Sequence, residues 1–226
     1  MYAAFPGAEA GVWQRQTRDR QVNFVEALGD FCTVHNGYVV LKPLEEAQYR
    51  ALTEGREEEL IAAVRVGVHS NCQVTFGRRT PQFFEGVPQS EAQLVHQTFG
   101  AAVNVGQGVS GIENRKQPFA KDFAHLVLRA MYRGCFLAAR RLGCRRLFLT
   151  LLGGGVFAND TRSLMRAVTQ TFLAYGAGLE VRVIMFSPTP LSDELRDFVL
   201  ECMGAHPWTF QCATKGVVET LFPPAK

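Results

Sequence analysis

The stretch Leu147–Asp160, which reads LFLTLLGGGVFAND, decides the fold of this chain. It opens with the uncharged segment Leu147–Leu152, which predicts a short strand buried on both faces. The three glycines at 153–155 follow, and glycine adopts positive φ and lets a second backbone or a ligand approach closely. Either residue of the Asn-Asp pair at 159–160 then caps a helix that starts near Thr161. A strand, a glycine loop and a helix N-terminus in this order present free backbone N–H groups that suit an anion such as a diphosphate.

The composition places the chain among globular proteins. It has 226 residues, of which 47% are hydrophobic and 20% charged, and this balance argues against disorder. Its net charge of +3 is too small to indicate nucleic-acid binding by itself. No uncharged run approaches the roughly 18–20 residues of a membrane span, and the N-terminus lacks the pattern of a secretory signal.

The six cysteines lie far apart, mostly inside apolar runs, which predicts free thiols in a reducing compartment. We therefore expect a cytoplasmic protein without contact to a membrane. A nuclear or organellar location, with a presequence already removed, stays open as an alternative.

Apolar periodicity predicts the order of the remaining elements. Helices are expected over 18–31, over 44–66 with a break near Gly55, over 123–141, from about 161 to 176, and over 191–202. Strands are expected over 37–41, 73–76, 94–99, 147–152 and 179–187. The alternation of helix and strand from residue 123 onward implies parallel strands with helices packed against the sheet. Ligands bind beyond the carboxyl ends of such strands, so 153–157 and 186–190 would flank one cleft.

From about Leu94 to Pro188 these segments resemble the macrodomain family of ADP-ribose-binding proteins. LVHQTFG (94–100) is similar to a strand of that family, and VRVIMFS (181–187) is similar to its last core strand. GVF at 155–157 lies on the Gly-Ile/Val-Tyr/Phe centre of the family's phosphate loop. The resemblance implies an α/β class with a macrodomain-like three-layer fold, in which helices flank a mixed central sheet.

The resemblance also suggests how the chain is organised. We expect a macrodomain-like core over 67–226, with an N-terminal extension of helix and strand over 1–66 packed on it, in one structural domain overall.

A ligand and the residues that hold it follow from the same resemblance. ADP-ribose, or an ADP-ribosylated protein or nucleic acid, would bind without a cofactor or a metal. Phe157 would pack on the distal ribose, while Phe186 and Ser187 would lie near the adenine. The residues expected to bind the diphosphate and ribose are Gly153, Gly154, Gly155, Val156, Phe157, Ala158 and Asn159.

The chain departs from the family at the first ligand loop, an Asn-Ala-Ala-Asn segment that carries the catalytic residues of hydrolytic members. No counterpart of that loop is found, and Ala158 stands where the family often has glycine. The weaker candidates for contact with the ligand are Gln16, Arg20 and Asn104, and no catalytic residue is assigned. A polar helix face explains Gln16 and Arg20 equally well, and we favour a flexible surface loop as the explanation of 100–110.

Two functions remain open at this point. The chain binds ADP-ribose and hydrolyses an ADP-ribosyl linkage with a catalytic residue still unknown, or it is a non-catalytic interaction or structural subunit of a larger assembly. A phosphate- or nucleotide-handling enzyme of another α/β family is a third hypothesis. For the glycine loop itself, the alternative is a tight turn that binds nothing.

Two further clusters attract attention. His69 and Cys72 are three residues apart, but no second pair completes a metal site. A basic group precedes the strand at 147–152, about 20 Å from the glycine loop at the strand's other end. A solvated helix end explains this group better than a protein- or RNA-binding patch does. Its members are Arg140, Arg141, Arg145 and Arg146.

Overall fold

The computed structural model describes residues 2–3, 14–15, 22–74, 77–79, 84–86, 88, 93–184 and 193–203. Its strands are β1 (Tyr2–Ala3), β2 (Gln14–Arg15), β3 (Cys32–His35), β4 (Tyr38–Leu41), β5 (Gly67–Gln73), β6 (Gly77–Arg79), β7 (Phe84–Gly86), β8 (Leu94–Phe99), β9 (Arg146–Thr150) and β10 (Glu180–Ile184). Its helices are α1 (Glu46–Thr53), α2 (Glu57–Ala63), α3 (Gly108–Arg115), α4 (Ala120–Arg141), α5 (Thr161–Tyr175) and α6 (Asp193–Met203). None of these helices is long and apolar enough to cross a membrane.

The α/β class is confirmed. The described strands form five two-stranded sheets, of which β9 and β10 are parallel and the other four pairs are antiparallel. The predicted parallel arrangement around the glycine loop is therefore present in β9 and β10, which are joined through α5.

The expectation that β9 is buried on both faces is wrong for the described residues. Leu147 and Leu149 pack with Val181 and Val183 of β10 against α4 and α5. Phe148, which points to the opposite face, is 58% exposed. The strand alternates because, within the part of the chain that the structure describes, helices cover only one of its faces.

Helix α4 is the centre of the molecule, and its predicted length is confirmed. One of its sides, with Phe123 and Val127, packs against N-terminal residues such as Leu28 and Phe31. Another side, with Leu128 and Phe136, packs against β9 and α5. The helix therefore ties the N-terminal residues to the elements that carry the glycine loop. The proposed boundary at residue 66 stays a prediction.

The helix predicted over 18–31 is wrong for the described part of that range. Only Glu26–Leu28 forms a short 3₁₀ turn before the chain enters β3. The apolar side chains that suggested a helical face, Val25 and Leu28, are buried in the main core without a helix. Burial against α4 thus overrides the local pattern.

An Asn-Gly turn shapes this N-terminal region. Asn36 and Gly37 have φ values of 50° and 80°, as a type I′ turn between two antiparallel strands requires. The turn joins β3 to β4, with His35 paired to Tyr38. The strand expected over 37–41 is therefore confirmed as half of a hairpin.

The other predicted elements agree in kind with the structure. The helix expected over 44–66 is split into α1 and α2 near Gly55 (φ +70°), as predicted. The strand expected over 73–76 lies earlier in the chain, as β5, because its antiparallel pairing with β8 runs from Gly67 to Gln73.

The five described cysteines carry free thiols.

A buried side-chain amide attaches the hairpin to the rest of the protein. Asn114 of α3 is fully buried. Its Oδ1 accepts a hydrogen bond from the Leu41 N–H at 2.8 Å. Its Nδ2 donates to the Val39 carbonyl at 3.0 Å and to the Asn104 carbonyl at 2.8 Å. One side chain thus joins β4, α3 and the loop that contains Asn104.

Replacing this amide should destabilise the fold strongly. Asn114→Ala removes three hydrogen bonds and leaves buried backbone groups without partners, so we expect the free energy of unfolding to fall by about 3 kcal/mol. The matched control is Arg115→Ala on the next, exposed position of α3, where we expect a change within about 0.5 kcal/mol. Urea denaturation measures both. Equal effects of the two substitutions would show that the amide does not hold these segments together.

Candidate ligand-binding site

The glycine loop begins just after strand β9, at a point where the hydroxyl of Tyr132 on α4 bonds the backbone. The Tyr132 hydroxyl donates to the Thr150 carbonyl at 2.9 Å and accepts from the Leu152 N–H at 3.0 Å. These are backbone groups at the point where the strand stops. Burial raises the pKa of Tyr132 to about 12, so the hydroxyl keeps its proton and remains a donor at physiological pH.

Two left-handed residues shape the loop itself. Of its three glycines only Gly153 has a positive φ, of 79°. A Cβ there would overlap Ala102 and would lie 2.6 Å from the Asn159 amide nitrogen, so the position requires glycine. Ala158 is the second left-handed residue, with φ 51°. A non-glycine residue adopts this conformation only with some strain, so glycine would fit the position without cost.

Asn159 is buried and holds the loop in place. Its Nδ2 donates to the Val103 carbonyl at 3.0 Å and to the Gly153 carbonyl at 3.2 Å. Its backbone N–H donates to the same Gly153 carbonyl at 3.0 Å. The side-chain amide is thus engaged within the protein, although Asn159 was predicted to contact a ligand. For the more exposed residues of the loop, contact with a ligand stays a prediction.

A second loop lies alongside the first. The Val105 N–H donates to the Phe157 carbonyl at 3.0 Å, and the Gln107 N–H donates to the Val156 carbonyl at 3.4 Å. Gly106 lies between them so close that a Cβ would overlap the Val156 carbonyl oxygen. The glycine loop is therefore bonded to the loop that contains Asn104, whereas 186–190, the segment expected to flank a cleft with the glycine loop, lies outside the described residues.

Asn104 gives this second loop its shape. Its Nδ2 donates to the Gln107 carbonyl at 2.9 Å and to Ser110 Oγ at 3.0 Å, and its Oδ1 accepts from the Gly106 N–H at 2.9 Å. Asn104 is itself buried. The favoured explanation of a flexible surface loop is therefore wrong, because an internal side-chain amide closes the loop and packs it on the protein.

Three consecutive backbone N–H groups of the glycine loop are available. Those of Gly155, Val156 and Phe157 have no hydrogen-bond partner within the part of the chain that the structure describes. Gly155 is exposed, and Val156 is 73% exposed. The Gly154 N–H, by contrast, closes a turn onto the Leu151 carbonyl at 3.1 Å. The donors open to an anion are therefore at 155–157.

The helix that follows the loop offers less to an anion than expected. The Asp160 side chain caps α5 by accepting from the Ser163 N–H at 2.9 Å, which confirms the predicted cap. Its carboxylate also places a negative charge at that helix N-terminus. The N-terminus of α3, after Gln107, has no side-chain cap and no acidic residue in its first turn. It is the better source of positive helix-dipole potential beside the loop.

Tyr38 was missed by the sequence analysis. Its ring lies 6.0 Å from the ring of Phe157, with 51° between the ring planes. The signal for this contact was the Asn-Gly turn at 36–37 followed by an aromatic residue, which places Tyr38 at the start of a hairpin strand.

Four predicted site residues lie outside the described part of the chain. They are Phe186 and Ser187, expected near adenine, and Gln16 and Arg20.

The basic group lies at the start of β9, at the end opposite the glycine loop. Arg140 donates to the Tyr175 carbonyl at 3.3 Å, and Arg146 pairs with Glu180 at 3.4 Å. Arg141 and Arg145 form no ion pair with any described residue. Half of the group is thus engaged within the protein, and the solvated helix end stays a prediction.

His125 joins α4 to the first turn of α5. Its Nδ1 lies 3.0 Å from Ser163 Oγ. Burial, together with the nearby Arg129 charge, lowers the pKa of His125 below its ordinary value of 6.5. The imidazole also faces a cleft of about 900 Å³ that contains Glu54, Glu57 and Asp122 but none of the predicted site residues. No three His, Cys, Asp or Glu side chains among the described residues are placed to hold a metal ion.

Comparisons with known proteins leave the family open. No protein-family model matches the chain, and no curated protein matches it. A solved structure is similar to part of it: poly(ADP-ribose) glycohydrolase from Deinococcus radiodurans, crystallised in complex with ADP-ribose. The alignment covers 60% of this chain and 52% of the glycohydrolase chain, about half of its length, with 20% identity and a TM-score of 0.44.

Two of the three glycines of the loop, Gly153 and Gly155, should respond differently to alanine. Gly153→Ala adds a Cβ that overlaps Ala102 at a positive φ, so we expect the free energy of unfolding to fall by about 2–4 kcal/mol. Gly155→Ala adds a Cβ with nothing within 4 Å and no positive φ, so we expect a change within about 1 kcal/mol. Urea denaturation compares them. Similar losses at both positions would contradict the loop conformation described here.

His125 should make stability depend on pH. Because its pKa is lowered in the folded state, the unfolded chain binds more protons, and the stabilisation is complete above the ordinary value of 6.5 and declines as the pH falls below it. Unfolding in urea at about pH 7.5 and about pH 5.5 measures the loss. We expect His125→Gln to lose less stability than the parent chain over this interval. An identical pH dependence in both would rule out a contribution from His125.

Proposed function

We propose that this chain binds ADP-ribose, or the ADP-ribosyl group of a modified protein or nucleic acid, at the glycine loop 153–157. The observation that carries the proposal is the run of three N–H groups, at Gly155, Val156 and Phe157, that have no hydrogen-bond partner in the described part of the chain. Consecutive backbone donors of this kind suit the oxygens of a diphosphate. The resemblance of GGGVFAN (153–159) to the macrodomain phosphate loop supports the same ligand.

The surroundings of the loop favour a ligand with both anionic and apolar parts. The uncapped N-terminus of α3 lies beside the loop and adds positive potential. The Phe157 ring supplies an apolar surface on which a ribose can pack. A macrodomain-like arrangement of the core is part of this proposal.

Binding is better supported than hydrolysis. Hydrolysis of an ADP-ribosyl linkage requires an acid–base side chain within reach of the attacking water. Asp160, the only carboxylate between residues 147 and 160, caps α5. The catalytic residue thus stays unassigned, and release of ADP-ribose from an ADP-ribosylated protein is the assay that separates hydrolysis from binding.

A charge placed at Gly155 should weaken binding without unfolding the protein. A Cβ at Gly155 meets open space, whereas one at Gly154 would lie 3.0 Å from Leu164. We expect Gly155→Glu to weaken ADP-ribose binding at least about tenfold, because its carboxylate repels the diphosphate. Isothermal calorimetry with ADP-ribose, and with AMP and ATP for comparison, measures the effect.

Two neutral variants serve as controls for size. Gly155→Gln has nearly the same volume as Gly155→Glu without its charge, and we expect it to retain more affinity. We expect Gly155→Ala to bind within about threefold of the parent chain. No heat from the parent chain with ADP-ribose would refute the proposal and leave a structural turn in an interaction subunit, whose partners a pull-down would then identify.

A further inference from the structure

The N-terminal hairpin β3–β4 reaches the candidate site through one side chain. Tyr38 is the first residue of β4, and its ring contacts Phe157 of the glycine loop, with ring centroids 6.0 Å apart. Tyr38 remains 46% exposed despite this contact. A large, half-exposed aromatic side chain thus lies directly beside the proposed ligand loop.

Three features show that this placement is fixed by the fold. The Asn36-Gly37 turn sets the hairpin register, in which Tyr38 pairs with His35. One residue further along β4, the Val39 carbonyl accepts a hydrogen bond from the buried Asn114 amide. The same amide bonds the Asn104 carbonyl, and so joins the hairpin to the loop that pairs with Val156 and Phe157.

The hydroxyl and the ring face of Tyr38 are suited to contact a sugar. Its hydroxyl has no hydrogen-bond partner among the described residues and can therefore bond a sugar hydroxyl. The two rings are tilted by 51° with their centroids 6.0 Å apart, so they form one continuous aromatic surface. Aromatic faces pack well against the C–H face of a ribose, whereas a diphosphate needs the N–H donors next to Phe157.

We propose that Tyr38 is a specificity-determining residue of the site and that it contacts, together with Phe157, the distal ribose of ADP-ribose. This inference rests on the proposed function. It makes residues before the macrodomain-like core part of the binding site. It also gives the site a means to distinguish ADP-ribose from ADP, which has the same diphosphate but no distal ribose.

Calorimetry with two ligands tests this role. Tyr38→Ala should weaken ADP-ribose binding about tenfold and leave ADP binding within about twofold, because only ADP-ribose carries the contacted sugar. Tyr38→Phe keeps the ring and should retain ADP-ribose binding within about threefold. The matched control is Val34→Ala in β3, which pairs with Val39 and lies on the other face of the hairpin. It should change neither affinity.

Each result bears on one of the two proposals. Loss of ADP-ribose affinity in Tyr38→Ala alone, with ADP unchanged, supports the role of Tyr38. If the parent chain binds ADP-ribose and Tyr38→Ala binds it equally well, the role of Tyr38 is overturned and the proposed function stays intact. An affinity loss in Tyr38→Ala that is equal for ADP-ribose and ADP has the same meaning. A parent chain that binds neither ligand would overturn both proposals.

Discussion

The buried side-chain amides of three asparagines hold the candidate site together. Asn104 closes one loop, Asn159 joins that region to the glycine loop, and Asn114 attaches both to the β3–β4 hairpin. No continuous sheet links these segments among the described residues, so the amides supply the hydrogen bonds that a sheet ladder would otherwise provide. Loop backbone buries its polar groups only where such partners exist, so these amides fix how the two loops and the hairpin lie against one another.

The proposed chemistry follows from this fixed arrangement. With the carbonyls of Val156 and Phe157 bonded to the neighbouring loop, the backbone N–H groups at 155–157 are left for a ligand. Tyr132 ends β9 just before the glycines, and Asp160 starts α5 just after them. The loop is therefore held at both ends and along one side. A preorganised set of donors binds an anion without the entropic penalty of ordering a mobile loop.

Sequence reasoning succeeded where the signal was local. The order of strand, glycine loop and capped helix, and the length of α4, follow from residues close together in the chain. It failed where long-range contacts decide. Residues 22–31 lack the predicted helix because their apolar side chains are buried against α4 in another conformation. The bonds from Asn114 to Leu41 and Val39 span 73 and 75 residues, and no local pattern indicates them. The Asn-Gly turn was the one readable sign of the hairpin.

The most direct measurement is a titration of the ¹⁵N-labelled protein with ADP-ribose, observed by amide NMR. The account predicts that the largest shifts occur at the free N–H groups of Gly155, Val156 and Phe157. Smaller shifts are expected at Gly154, Ala158 and Asn159, whose N–H groups are bonded within the loop. Shifts confined to another surface, or none at saturating ligand, would contradict the claim that the glycine loop is an ADP-ribose site.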